Sequence, residues 1–596
     1  MNRFGRVAVV AVVPLATLSF FSGGLAAQDT TLARPDSAIQ AEDDSASANP
    51  VLPMLPAAVP QGPLPPGSRY SFNRDSILWL KVQTLGELLA DVPGVFVTRP
   101  LWVGQPENIQ YGGRGGSALE VYWDGMPYEP VGGDSLFVDP GRIPLTYVRR
   151  VDVEILPDRI KVYIVSERHE SEEARSLIRV VSGRFSTGEY TALFQKRWRS
   201  GVGLDLSAHF LGTDGVDNTD SKSNQFDLWG KFTWNPNDRV GGSYQIIRQD
   251  HDRDGATGDD GAQILAHQGV RTDNIFTLFA GTRGDGLGLR AEGGFASTSW
   301  GSDSASPVPD QSLSQAWLQL RYASANLTAS VRGTAADVRT PWSVEGVFNW
   351  VPLPGLVLST DARYRRHVGS RASKRVHAAV GLFRGPVWLV GEATLQDALQ
   401  APALLTDTAI STFDYGGRVG VDTKPVTGWV GVVQRDAYHP LAYPNFPSIP
   451  ELRPSPEATY LVTDVHVRPF KAVTLSGWYS DPVSGFPADF QPPKHARAEV
   501  TFRTKFWQTF RSGAFQFKVQ LAGEWWSTGT AGLDEEGNVN VLPAVSFYDA
   551  YVAVQLVGFT LFWNLRNALL NEGGFVPRFD YAKNAQLFGV SWTFSS

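Results

Sequence analysis

The chain runs to 596 residues, longer than one ordinary soluble domain, so two or more units are expected. Its net charge of -7 lacks the basic excess that marks a nucleic-acid partner. Cys 0 excludes disulfides, thiolate zinc sites, a lipidated N-terminal Cys and a Cys nucleophile. At the N-terminus, Arg3 and Arg6 precede the apolar run Val7–Phe21, and "SGGLAA" then offers small residues for cleavage near Ala26 or Ala27. This is the pattern of an export signal over residues 1–27. The run falls short of the roughly 20 apolar residues a spanning helix needs, and no later stretch reaches that length. Residues 28–69 are polar and then proline-rich without hydrophobic periodicity, which predicts a disordered, extended linker.

Folded structure is expected to begin near Tyr70, with a compact α+β unit over residues 70–175. "TLGELLADVPGVFV" sets Leu85, Leu88 and Leu89 on one helical face, breaks at Pro93–Gly94 and continues as a strand. "IQYGGRGG", "LEVYWDGMPY" and "IPLTYVRRVDVEIL" read as strands and turns. The glycines resemble a phosphate loop, but that chemistry needs a helix after the turn, and here a strand follows with no Walker lysine. Gly112, Gly113, Gly115 and Gly116 suit instead a turn with positive φ and close backbone approach. Asp124–Gly125 signals a tight turn between two strands.

From residue 176 the pattern changes. "GVGLDLSAHF" puts Val202, Leu204, Leu206, Ala208 and Phe210 on one face, against Asp205, Ser207 and His209. "WSVEGVFNW" and "FQFKVQLAGEW" repeat this period of two, which means strands with one apolar and one wet face. A soluble sandwich alternates too, so the connections decide. Short turns such as "RSG", "NPND" and "VPLPG" alternate with long polar segments, among them Asp250–Gln268 and Arg435–Ala458. Short periplasmic turns and long extracellular loops are the signature of an outer-membrane barrel, and about 22 strands fit between Leu177 and Phe594. Aromatics cluster near strand ends in "RWRS", "FTWNP" and "GEWW", where interfacial girdles belong. The expectation is an all-β membrane protein: a transmembrane antiparallel barrel over residues 176–596 with the 70–175 unit plugging a lumen wide enough to need it. The barrel wall supplies inward Asp and Glu with which Arg114 can pair.

Other chemistry is thin. "DHDRDG" alternates Asp250, Asp252 and Asp254, but the twelfth position is Gly261 and no helices flank it, so no EF-hand is present. A looser calcium site and a merely solvated acidic loop are the two readings. "HESEE" lacks the second His of a zinc-protease helix, and no nucleophile elbow occurs. No enzyme and no cofactor are expected. In the loop Tyr438–Glu457, proline stiffness holds Tyr443 and Phe446 in order, which suits either ligand capture or a loop folded over the lumen. Gly132 and Asp134, in a turn of the plug, could meet that loop at a ligand.

Taken in order, these pieces resemble the TonB-dependent receptor family. Its plug has a helix ending in Pro-Gly-Val, matched by Pro93, Gly94 and Val95, then an Arg-Gly turn, matched by Arg114 and Gly115. A valine-rich strand into Asp-Gly-x-Pro is matched by Val121, Asp124, Gly125 and Pro127, and a strand ending on Glu by Val148, Val151, Val153 and Glu154. "FWNLRNAL", Arg578 and "LFGVSWTF" resemble the family's last hairpin. After Glu154 the chain departs: "ILPDRIKVYIVSERHESEEARS" replaces the family's Arg-Gly-Pro and Tyr-Gly segment, and only "DTTLA" at Asp29 approaches a box for the energising protein. The resemblance implies residence among lipids of the cell outer membrane of a Gram-negative-type bacterium. It implies uptake of a scarce solute (an iron chelate, cobalamin or a glycan), with a TonB-type periplasmic partner. The competing expectation is a plugged surface-binding or structural barrel without energised transport.

Overall fold

The computed structural model describes residues 32–33, 62–79, 81–132, 136–302, 311–506 and 515–595. The expected export signal and most of the expected linker lie outside the described residues, as do Asp134 and the tight turn expected at Arg511–Gly513.

From Arg175 to Ser595 the chain forms 22 antiparallel strands in one closed ring. The ring closes where Arg175–Gly183 meets Ala585–Ser595, in register from Ser176↔Phe594 to Gly183↔Leu587. The strand number is the one the alternation and the connections predict. In Val202–Thr213, Asp205, Ser207 and His209 are buried toward the lumen, while Leu206 is 45% exposed on the outside. In Trp342–Leu353, Trp342, Val344 and Phe348 face out and Asn349 is buried. Lipid cannot hydrogen-bond a backbone, so an inside-out ring with every strand edge paired is the stable way for such strands to span it. Among the described residues no helix is long and apolar enough to cross a membrane.

One end of the barrel carries short turns such as 198–201, and the other carries long loops such as 436–457 and 567–584. The acidic loop starts later than its composition predicts. Asp250 and Asp252 stay on the strand Val240–Arg253, opposite Val270 and Gln268. Gln245, Gln249, His251 and Arg253 keep facing inward there, so the alternation carries the pairing on to Arg253. Of the three, only Asp254 lies in the connection.

The lumen holds a small sheet ordered Leu32–Ala33, Arg69–Asn73, Val148–Ile155, Ile160–Ser166, Leu119–Trp123, Met126–Pro127. Leu85–Leu89 forms the expected helix, with the Thr84 hydroxyl accepting from the Glu87 amide, and Gly94 at φ 76 turns the chain into the strand Val95–Thr98. Asp124 and Gly125 both have positive φ, at 44 and 85, as a two-residue hairpin of mirror-image type requires. The charged stretch after Glu154 makes a turn, Leu156 N donating to Arg159 O at 2.9 Å, and then the fully buried strand Ile160–Ser166 in the middle of the sheet. The expected linker is not wholly free. Leu32–Ala33 runs parallel to Tyr70–Ser71, and Arg418 of the wall donates to Gly67 O at 2.7 Å.

Candidate functional site

The plug presents the glycine turn 111–116 to the loop end of the barrel. Gly112, Gly113 and Gly115 take positive φ, and a Cβ on Gly112 would fall 1.4 Å from Arg435 Nη1. That space is needed because the Arg435 guanidinium crosses the turn to stack on Tyr111 at 4.3 Å, while its Nε donates to Pro157 O at 2.8 Å. Gly116 makes room for the Phe137 ring instead. Arg114 reaches the other way: it pairs with the wholly buried Asp414 of the wall and stacks on Tyr438 at 4.5 Å. The Arg114–carboxylate pair expected from sequence is thus present, with Asp414 as the acid.

The loops converge over this turn. Tyr443 and Phe446 are 2% and 1% exposed, and the Tyr443 hydroxyl donates to Ile109 O at 3.0 Å. Burial pushes that hydroxyl's pKa up. Phe137 of the plug and Phe490 of the neighbouring loop meet the Tyr443 ring edge-on at 6.1 and 5.7 Å. Loop 254–266 joins through Gln263 N to Ser448 Oγ at 2.9 Å, and Asp259 N donates to Arg578 O at 2.9 Å. The proline-rich loop is therefore folded down onto the plug, and its two aromatics are anchors of a lid in this state. Gly132 lies outside that cluster, against Trp300, and donates to Gln311 at 3.4 Å. Asp250 and Asp252 lie on the outward side of their strand, opposite in direction to His251 and Arg253. Among the described residues no three His, Asp or Glu side chains are grouped to hold a metal ion, so the calcium reading of Asp250, Asp252 and Asp254 finds no support.

Ion pairs ring the plug at the wall. Glu87 meets Arg566 at 2.9 Å, Asp91 meets Arg497 at 2.8 Å, Lys81 meets Asp549 at 2.6 Å and Arg99 meets Glu524 at 3.1 Å. The densest contact was not legible in sequence. Glu120, on the plug strand Leu119–Trp123, accepts from both Arg363 terminal nitrogens at 2.6 and 2.7 Å, from Arg375 at 3.1 Å and from Arg159. Burial pushes the Glu120 carboxyl up, but Arg363, Arg375 and Arg159 together outweigh it and hold it well below the usual range. Glu107 is the opposite case: burial, and then the charge of nearby Glu87, push it up to about 8. The Thr84 hydroxyl donates to it at 3.2 Å. Glu120 and Glu107 sit in ordinary strand-like runs, and only the fold shows what surrounds them.

No family model and no curated protein sequence matches the chain. Solved structures do match. A variant of the ferric enterobactin receptor PfeA from Pseudomonas aeruginosa, solved with enterobactin, aligns at TM-score 0.67 and 11% identity, covering 90% of this chain and 100% of that chain. The siderophore receptor PirA from Acinetobacter baumannii aligns at TM-score 0.66 and 9% identity, over 89% and 98%. The FrpB iron transporter from Neisseria meningitidis aligns at 0.67 and 8%, over 90% and 100%. The chain has the plug-in-barrel fold of these receptors.

Proposed function

We propose that this protein is an outer-membrane receptor of the TonB-dependent kind, which takes up a scarce solute from outside the cell. The long loops then face the exterior and the short turns the periplasm. The observation that carries the reading is the character of the plug–wall contact. It combines apolar patches, such as Tyr147 stacked on Trp229, with many buried ion pairs, among them Glu87–Arg566, Asp91–Arg497 and Arg114–Asp414. The paired charges can be exchanged for water when a load is applied, whereas the apolar patches resist separation. Leu32–Ala33 adds a handle, since it lies at the open edge of the plug sheet beside Tyr70–Ser71. Such an edge is a place where a strand can be pulled away or exchanged. An energising periplasmic protein is the partner this suits. The solved receptors with the same fold are described as siderophore receptors and an iron transporter, which makes a ferric chelate the first substrate to try.

A specific observation favours the second reading, a closed surface barrel without transport: the lid residues Tyr443 and Phe446 are buried against the plug. Import requires that loop 436–457 lift before a ligand reaches the plug. Uptake of radio-iron from ferric chelates decides between them, in cells whose own receptors are deleted and which carry this chain, with and without the energising protein. Energy-dependent uptake that disappears on deleting Tyr438–Glu457 is expected. Iron bound at the surface but never internalised would leave the second reading.

A further inference from the structure

Two cavities lie between the plug and the same stretch of wall, the strands Leu356–Arg366 and Ala372–Arg384. The upper one, of about 100 Å³, faces the loop end and is lined by Glu120, Arg159, Arg363, Arg365 and His367. The lower one, of about 40 Å³, is lined by Lys161, Tyr163, Ser359, Asp361 and His377. Each carries polar side chains, the upper more than the lower, and has room for water. Along Leu356–Arg366 the inward positions run Ser359 and Asp361 in the lower cavity, then Arg363 and Arg365 in the upper. Neighbouring inward residues are ~7 Å apart along a strand. A single layer of side chains therefore separates the two spaces.

That layer is made of ions. Arg363 and Arg375 stand opposite each other in register and both hold Glu120, while Arg375 also holds Asp361 at 2.6 Å. Lys161 holds Asp361 at 2.9 Å and Glu345 at 3.3 Å, and Arg159 holds Asp158 at 2.6 Å. Arg159, Lys161, Arg363 and Arg375 balance Glu120, Asp158, Asp361 and Glu345 charge for charge. Glu120, Asp158 and the two cations Arg159 and Lys161 ride on the plug; Arg363, Arg375, Asp361 and Glu345 belong to the wall.

We propose that the two cavities form a side passage for small hydrated anions along this wall, closed by Glu120 acting as the plug's own counter-ion for Arg363 and Arg375. A displacement of the strand Leu119–Trp123 withdraws one carboxylate and leaves wall guanidiniums facing a continuous water-filled gap. Rings of arginine select anions in pores. Opening this way needs no removal of the plug from the barrel, so the passage is separate from uptake of any large ligand and does not depend on which solute the receptor takes.

The test is conductance of the full chain in planar lipid bilayers under a potassium chloride gradient. The parent chain should be silent. Glu120→Gln, which leaves one cation unbalanced, should conduct with about a fivefold preference for chloride, the effect of one unit charge at ~4 Å in water. Arg363→Gln leaves one carboxylate unbalanced and should conduct with the opposite, potassium preference. The chain has Cys 0, so Ser359→Cys in the Glu120→Gln background offers one thiol in the lower cavity. A negatively charged thiol reagent should then shut the conductance. A silent Glu120→Gln chain whose plug stays protease-resistant, the same ion preference in both charge variants, or conductance that survives complete labelling of Ser359→Cys would each overturn the proposal. If one charge variant does not fold, the sign of the preference in the other decides alone.

Discussion

Replacing Glu107 with Gln should flatten the pH dependence of plug stability. Glu107 is buried beside the helix Leu85–Leu89, so close that a Cβ on Gly86 would fall 1.8 Å from its Oε2. Burial and the charge of Glu87, itself paired with Arg566, raise its pKa from 4.5 to about 8. The unfolded chain gives up this proton near 4.5, whereas the folded plug keeps it until about pH 8. Between those values the native state binds one more proton than the unfolded state. Stability is therefore complete below pH 4.5 and falls as pH rises, by about 1.4 kcal/mol per unit and on the order of 5 kcal/mol by pH 8. Gln has nearly the same shape, can still accept from Thr84, and never ionises, so the share of the slope that Glu107 contributes over this window should vanish. The assay is native-state hydrogen exchange of the amides of residues 85–98, corrected for intrinsic rates, at pH 5.5, 6.5 and 7.5 in both chains. Equal slopes in parent and Glu107→Gln would refute the assignment of a buried, protonated Glu107.

Arg114→Ala strips the buried Asp414 of its partner and should loosen the plug by ~3–5 kcal/mol, read as faster exchange across residues 108–118. Unchanged exchange would mean that the pair holds nothing. Tyr443→Ala or Phe446→Ala should each destabilise the lid by ~3–5 kcal/mol and speed labelling of a cysteine introduced at Ser117 by a reagent added from the loop side. A labelling rate equal to the parent's would place the lid's stability elsewhere. Converting Asp250, Asp252 and Asp254 to Asn should leave calcium binding, followed by calorimetry, as it is in the parent chain. Loss of a binding heat would restore the calcium reading.

The barrel was legible in the sequence because its physics is local. A strand with lipid on one side must alternate, as Val202–Thr213 and Trp342–Leu353 do, and the closing pair follows once the first and last strands are recognised. The hairpin at Asp124–Gly125, the break at Pro93–Gly94 and the glycine turn are local as well, since each follows from the φ values those residues tolerate. The extent of the strand through Asp250 and Asp252 was not, because polar residues near a barrel rim read alike whether they are paired or free. Nor were the roles of Tyr443 and Phe446: one sequence serves for an aromatic that waits for a ligand and for one that closes a lid, and only the packing against Phe137 and Phe490 separates them. Glu120 makes the same point most sharply. Its sequence neighbours Leu119 and Val121 mark only a strand, while the guanidiniums of Arg363 and Arg375 that set its charge arrive from more than two hundred residues away. Periodicity records what each strand faces in bulk; which charge meets which across the plug is settled only when the ring closes around it.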